Sequence, residues 1–370
     1  MPLYVGLMSG TSLDGVDAVA ASFDDGAPVR VLGHHHRPFP ADLRAELLAL
    51  NAPGDNELHR AALAANALAA TFAVAVNELL AQTAIARATV RALGAHGQTV
   101  RHRPGEFDGR GYTLQLNAPA RLAERCGIDV VADFRSRDVA AGGQGAPLVP
   151  AFHAAVFAQP GRDVAVLNLG GISNLTLLHA DGAVGGFDCG PANALLDGWC
   201  EQHTGQAYDD GGRWAAGGQV LPALLDSLLA EPYLHRAPPK STGRDLFNLG
   251  WLAPHLQRHA PHAQPQDVQA TLSAFVARAV ADALKAHAPA TQEVLVCGGG
   301  GYNADLLARL ASMLPGVAVT STSSRGIDPM HVEAAAFAWL AHAFVSRQPG
   351  NRAEVTGAAG PRILGALYPA

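Results

Sequence analysis

One local pattern occurs twice in this 370-residue chain, once in each half: an apolar strand, a polar glycine turn, and a second apolar strand. Leu3 to Met8 runs into Ser9-Gly10-Thr11-Ser12-Leu13-Asp14-Gly15, and Val16 to Phe23 follows, ending at Asp24-Asp25-Gly26. In the second half, Val164 to Leu169 runs into Gly170-Gly171-Ile172-Ser173-Asn174, and Leu175 to His179 follows. Strand, glycine turn, strand is a hairpin pattern. The layout repeats although the letters do not, which points to an internal duplication.

Between and after the hairpins, strands alternate with helices. Leu43 to Leu50 and the Ala-rich Glu57 to Arg87 read as helices, Val90 to Ala95 and Tyr112 to Leu116 as strands. Ala118 to Cys126 reads as a helix and Ile128 to Ala132 as a strand. Ala194 to Trp199, Asp267 to His287, Asn303 to Met313 and Met330 to Ser346 read as helices, Glu293 to Cys297 and Val317 to Thr320 as strands. The pattern predicts an α/β fold with helices covering the sheets. The glycine-rich run Ala141 to Gly145 marks a boundary. It gives an N-terminal α/β domain over 1–140, a second over 141–347 with a late glycine loop, and a tail over 348–370 that docks back on the body.

Composition narrows the function. The chain is 49% hydrophobic and carries a net charge of −6, which argues against disorder and against a general nucleic-acid binder. No 18-residue apolar run is free of charge, Gly and Pro, so no spanning helix and no membrane partner is expected. Cys126, Cys189, Cys200 and Cys297 form no C-x-x-C pair and suit neither a zinc site nor a disulfide framework. The first residues lack a basic, then apolar leader, so a reducing cytoplasm is the simplest location.

Several clusters hold chemistry-bearing residues. The first turn, Gly10 to Asp17, offers small residues, hydroxyls and carboxylates. It suits a phosphate, or is an ordinary hairpin turn, and lacks the lysine of a P-loop. The second turn, with Asn168, Gly170 and Gly171, is similar in kind, and two such turns suit a nucleotide held between related domains. Cys297-Gly298-Gly299-Gly300-Gly301 allows close backbone approach, but it comes too late for a dinucleotide fingerprint, and Ala304 takes its third position. Asp188, between glycines and Pro191, reads either as a general base or as a cap of the following helix. Cys189 reads as a small buried residue. Arg135 and Arg137 could grip a carboxylate or phosphate, or sit in an ion-pair cluster. Lys240 to Asp245 is a polar helix start, a cap or a lid. His34-His35-His36 reads as a solvated loop rather than a metal site, and His96 as a pocket residue or a structural histidine.

Taken in order, these residues resemble one family. Gly6 to Asp17, His96-Gly97-Gln98-Thr99, Val131 to Arg135 and Asp138 to Pro150 are similar to the motifs of anhydro-N-acetylmuramic acid kinases. So are Asn168 to Asn174, Phe187-Asp188-Cys189-Gly190-Pro191, Pro239 to Arg244, Cys297 to Gly300, Val332 to Leu340 and Pro361 to Gly365. The resemblance implies two actin/Hsp70/hexokinase-like, ribonuclease H-like domains around a nucleotide cleft. It implies that ATP with Mg2+ and water convert 1,6-anhydro-N-acetylmuramic acid to N-acetylmuramic acid 6-phosphate during peptidoglycan recycling, in a cytoplasmic homodimer. By the same resemblance Asp188 is the catalytic base, while Gly10, Thr11, Ser12, Leu13, Asp14, Gly15, Val16 and Asp17 form an ATP-binding stretch. Asn168, Gly170, Gly171, Gly298, Gly299 and Gly300 complete that site, and His96, Arg135 and Glu333 meet the sugar. Met8 stands where related ATPases place a metal-associated carboxylate, so no metal ligand is assigned and phosphates and water hold the magnesium. Asn117-Ala118 replaces the family's usual Gly-Asp, and Ala192 its usual Gly. A kinase for another sugar and an Hsp70-like regulatory ATPase are the competing readings.

Overall fold

The computed structural model describes residues 2–10, 12–23, 28–238, 240–243 and 245–370. Thr11, the Asp24-Asp25-Gly26 turn, Pro239 and Arg244 lie outside the described residues. The chain divides into two compact units, Met1–Val156 with His331–Ala370, and Phe157–Met330. This division differs from the expected 1–140, 141–347 and 348–370: the first boundary falls after 156, and the helix Val332–Val345 belongs with the first unit.

The first unit contains β1 (Leu3–Met8), β2 (Gly15–Ser22), β3 (Arg30–Pro38), β4 (Val90–Ala95), β5 (Gln98–Pro104), β6 (Gly111–Leu116) and β7 (Val130–Ala132). Its main sheet runs β3-β2-β1-β4-β7 and ends in the C-terminal strand Ala366–Tyr368, while β5 and β6 form a separate ribbon. β1, β2 and β3 are antiparallel neighbours, and β1, β4 and β7 are parallel. The tail therefore docks as an antiparallel edge strand on β7.

Side-chain alternation gives the sheet two apolar faces. Val5 and Leu7 of β1 and Leu93 of β4 pack with Leu68, Phe72, Val76 and Leu79 of the helix Glu57–Thr83. Burying each such side chain contributes about 1.5–3 kcal/mol. That helix is long and apolar enough to cross a membrane by length and composition, a test stricter sequence criteria missed, yet most of its apolar stretch is buried in the protein. On the opposite face, Gly6 and Gly94 admit the helix Val332–Val345. A Cβ on Gly6 would lie 1.8 Å from the Ala334 carbonyl oxygen, and one on Gly94 2.0 Å from that of Phe337. These two glycines tie a helix from the far end of the chain to the first sheet.

The three histidines are not in a solvated loop. They lie in β3, whose ladder with β2 holds polar residues that sequence patterning left unassigned. Period-two alternation sends His34 and His36 to Asp17, whose Oδ1 lies 2.8 Å from His34 Nε2 and 3.0 Å from His36 Nδ1. His35 faces the helix Glu57–Thr83 and meets Glu78 at 2.9 Å.

The second unit contains β8 (Val164–Leu169), β9 (Ile172–Leu178), β10 (Val184–Pro191), β11 (Glu293–Cys297) and β12 (Ala318–Ser321), ordered β10-β9-β8-β11-β12. Here too three antiparallel strands are followed by two parallel ones. The strand order and directions repeat those of β3-β2-β1-β4-β7. The duplication read from the hairpins thus extends through five strands, the ribonuclease H-like α/β arrangement of the actin/Hsp70/hexokinase type. The helix Pro265–His287 supplies much of this core, packing Leu272, Phe275 and Val280 with Leu167, Val294 and Val296. Two sequence expectations change. β9 begins at Ile172, which shortens the turn to Gly170-Gly171. Asp188 lies within a strand, not in a turn before a helix.

Candidate active site

In each unit the chemistry-bearing residues collect at the carboxyl ends of the parallel strands, where open α/β sheets bind ligands. In the first unit, β1 leads into Met8-Ser9-Gly10, β4 into His96, and β7 into Asp133 and Arg135. A cavity of about 270 Å³ opens there, lined by Ser9, Gly10, His96, Gln98 and Arg135 among others. Ser9 Oγ donates to the Gly97 carbonyl at 3.0 Å and Gln98 Nε2 to that of Gly10 at 3.2 Å, fixing the first turn against the link from β4 to β5.

Within that turn, Leu13 N–H donates to the Gly10 carbonyl at 3.3 Å, and Ser12 Oγ donates to Asp14 Oδ1 at 2.8 Å. Leu13 adopts a left-handed conformation, φ 55°. Such a residue costs on the order of 1 kcal/mol or more and persists where surroundings hold it. Here its side chain is buried and Arg44 Nε donates to its carbonyl at 3.0 Å. Leu13 and Val16 turn their side chains into the core, so only their backbones are left for a ligand. Gly15 pairs with Pro38 in the β2–β3 ladder. Asp17 is committed to His34 and His36: burial pushes its carboxyl up, but their hydrogen bonds outweigh burial and hold it below its ordinary range.

Arg135 centres the second cluster. Burial lowers its guanidinium to about 10, while Glu333 and Asp138 oppose the shift. Its Nη1 donates to the Gly145 carbonyl at 2.8 Å, and its Nε and Nη2 approach His96 Nε2 at 3.1 and 3.0 Å. Burial, then the Arg135 charge, hold the His96 imidazole well below its ordinary pKa. Glu333, at the start of the helix admitted by Gly6 and Gly94, has an accessible side chain crowded by protein. Desolvation raises its carboxyl, Arg135 opposes this, and Asp17 adds to it. The structure therefore brings His96, Arg135, Glu333 and Asp17 into one electrostatic neighbourhood.

In the second unit, Asn168 stands at the end of β8 beside Cys297 of β11. Gly298 follows with φ 77°, and a Cβ there would lie 2.4 Å from Asn168 Oδ1. The Gly170-Gly171 turn accepts backbone N–H groups of Ala192, Asn193 and Ala194 at 2.9–3.1 Å, and Asn193 Nδ2 donates to the Leu169 carbonyl at 2.9 Å. Asn168, Gly170, Gly171, Gly298 and Gly299 thus form one small-residue surface at the strand ends, and Gly300 is packed beneath it against Leu169.

Asp188 sits at an irregularity of β10, where pairing with β9 shifts between Asp188 and Gly190. Bulges re-aim side chains. Three groups fix this one. Asp188 N–H donates to the Lys240 carbonyl at 3.2 Å, Tyr233 Oη donates to the Asp188 carbonyl at 2.9 Å, and Thr242 N–H donates to Asp188 Oδ2 at 3.0 Å. Desolvation raises the Asp188 carboxyl above its ordinary range, and the Thr242 bond only partly offsets this. Cys189, fully buried, has its thiol pushed far up and is no nucleophile.

Lys240 to Asp245, which the sequence reads as a polar helix start, a cap or a lid, supplies through Lys240 and Thr242 the strap that holds Asp188. Tyr233 carried no sequence signal, because its bond to Asp188 spans 45 positions. Gln98 was visible only as part of a motif. Among the described residues, no group of three His, Cys, Asp or Glu side chains is arranged to hold a metal ion.

The family model for anhydro-N-acetylmuramic acid kinase matches residues 2–370. A protein of that description from Variovorax paradoxus is 61% identical over 373 residues, covering 100% of this chain and 99% of the relative. One from Bordetella petrii is 62% identical over 370 residues, covering 100% and 96%. One from Cupriavidus pinatubonensis is 57% identical over 368 residues, covering 99% and 98%. These full-length matches show that the chain belongs to the anhydro-N-acetylmuramic acid kinase family.

Proposed function

We propose that this chain uses ATP and water to convert 1,6-anhydro-N-acetylmuramic acid into N-acetylmuramic acid 6-phosphate and ADP, in the recycling of peptidoglycan. Relatives at 57–62% identity over nearly their whole length carry that kinase description, which supports the reading. Asp188 is the observation that carries the chemistry. A carboxylate held by a backbone strap and raised by desolvation is a stronger base than a free aspartate.

In this mechanism Asp188 takes a proton from water, and the water oxygen bonds to the anomeric carbon. The C1–O6 bond of the anhydro bridge breaks. O6 then bonds to the γ-phosphorus while the bond to the β-phosphate oxygen breaks, releasing ADP. Arg135 pairs with the lactyl carboxylate, a partner suited to a guanidinium. His96 and Glu333 shape the same sugar site. The first turn, Gly10 to Asp17, and the surface at Asn168, Gly170, Gly171 and Gly298 to Gly300 receive the nucleotide. Magnesium arrives with the ATP phosphates as part of the co-substrate. Positioning and electrostatics dominate phosphoryl transfer, so backbone-rich surfaces suit this task. The reading places the enzyme in the cytoplasm as a homodimer.

Product analysis tests it. From the anhydro sugar, the reading predicts a product that has gained one water and one phosphoryl group at O6. A phosphorylated sugar that keeps its anhydro bridge would overturn it.

A further inference from the structure

Asp138 is fully buried, and among the described residues no Arg or Lys forms an ion pair with it. A buried carboxylate is tolerated only when hydrogen bonds replace its water. Three donors do so here. Gly145 N–H reaches Oδ2 at 2.8 Å, while Asn351 Nδ2 and Thr356 Oγ1 reach Oδ1 at 2.6 and 2.7 Å. Two of these donors come from a segment more than 200 positions along the chain. That segment is stitched to the same loop again: Gln144 N–H donates to the Thr356 carbonyl at 2.7 Å, and Ala359 N–H to the Ala141 carbonyl at 2.9 Å.

Gly145 links this brace to the sugar-site arginine through its two backbone groups. Its N–H is held by Asp138, and its carbonyl accepts Arg135 Nη1 at 2.8 Å. A Cβ on Gly143 would lie 2.2 Å from Asp138 Oδ2, so the loop closes tightly around the carboxylate. Asp138 also supports the Arg135 charge against desolvation.

We propose that Asp138, Asn351 and Thr356 are positioning residues for Arg135, and that the C-terminal segment 351–359 is part of the sugar-recognition apparatus rather than a passive tail. The inference rests on the assignment of Arg135 to the sugar given under the proposed function. A direct contact by arginine is common in carboxylate recognition; here the orientation of that arginine is set from a distant part of the sequence through the backbone of one residue, Gly145.

A double-mutant cycle on the full-length enzyme tests it. Thr356→Val keeps the shape and removes one donor, a change of about 1 kcal/mol and thus severalfold in affinity. It is expected to raise KM for the anhydro sugar severalfold while KM for ATP stays within about twofold, and Thr356→Ser is expected to restore it. In an Arg135→Lys background, Thr356→Val is expected to have no further effect on sugar KM. Full additivity of the two substitutions, or a Thr356→Val enzyme that loses thermal stability with sugar KM unchanged, overturns the positioning role. An Arg135→Lys enzyme with unchanged sugar KM overturns the sugar assignment itself, and the positioning role falls with it.

Discussion

Arg135 approaches a single atom, Nε2 of His96, with both Nε and Nη2, at 3.1 and 3.0 Å. A guanidinium only donates, so His96 Nε2 is the acceptor and the ring proton lies on Nδ1. The imidazole is therefore neutral and locked in one tautomer, while Nη1 donates to Gly145 and one N–H on each Nη is left for a ligand.

Replacing His96 with Phe leaves a partly buried guanidinium short of its acceptor. Such a loss costs about 1–3 kcal/mol. Urea unfolding of His96→Phe should show a lower midpoint, and sugar KM should rise. The pH dependence has a definite sign. His96 titrates well below 6.5 in the folded chain and near 6.5 when unfolded. Its contribution to stability is complete above about pH 6.5 and is lost as pH falls towards the folded value. The stability gap between parent and variant should therefore narrow as the pH is lowered below about 6.5. A constant gap would contradict the buried neutral ring.

Asp188 also loses its contribution on acidification, but it is read in activity rather than in stability. Its carboxyl is raised, so its base form is lost on acidification earlier than that of an ordinary aspartate. The acid limb of kcat/KM should fall with a one-proton slope centred above about pH 3.9, the free aspartate value. Asp188→Asn should retain sugar binding by calorimetry and lose about 10²–10⁴-fold in kcat, the usual worth of a general base. An active Asn variant removes Asp188 from the chemistry.

Gly6 and Gly94 set the depth at which the helix Val332–Val345 lies on the first sheet. Gly6→Ala forces a Cβ against the backbone at Ala334, which cannot swing aside as a side chain could. Overpacking of this kind costs about 1–3 kcal/mol or more. Denaturant unfolding should show that loss, and sugar KM should rise as well because Glu333 rides on the displaced helix. Unchanged stability in both Gly6→Ala and Gly94→Ala would contradict the close approach.

The hairpins were legible because apolar runs flank glycine turns, and β1, β4, β8 and β11 appear with the expected bounds. Several strands were not, β3 and β10 among them. β3 carries Arg30, the three histidines and Arg37, and it becomes a strand through its ladder with β2 rather than through apolar patterning. β10 contains Gly185, Gly186, Gly190 and Pro191, all poor strand formers, and pairing with β9 overrides them. Asp188 was visible as a residue, but the strap that aims it was not, because Lys240 and Thr242 reach it across more than 50 positions. The unit boundary was hidden for a similar reason. The helix Val332–Val345 joins the first sheet through two glycines whose role shows only when the helix lies on them.

The central claim is that nucleotide use is coupled to opening of the anhydro sugar. ADP release by the purified protein with ATP and magnesium, measured with 1,6-anhydro-N-acetylmuramic acid, with N-acetylmuramic acid and with no sugar, tests it most directly. The account predicts release with the anhydro sugar alone. Equal release in all three, as from an uncoupled ATPase, or a preference for the open sugar, as from an ordinary 6-kinase, would contradict it.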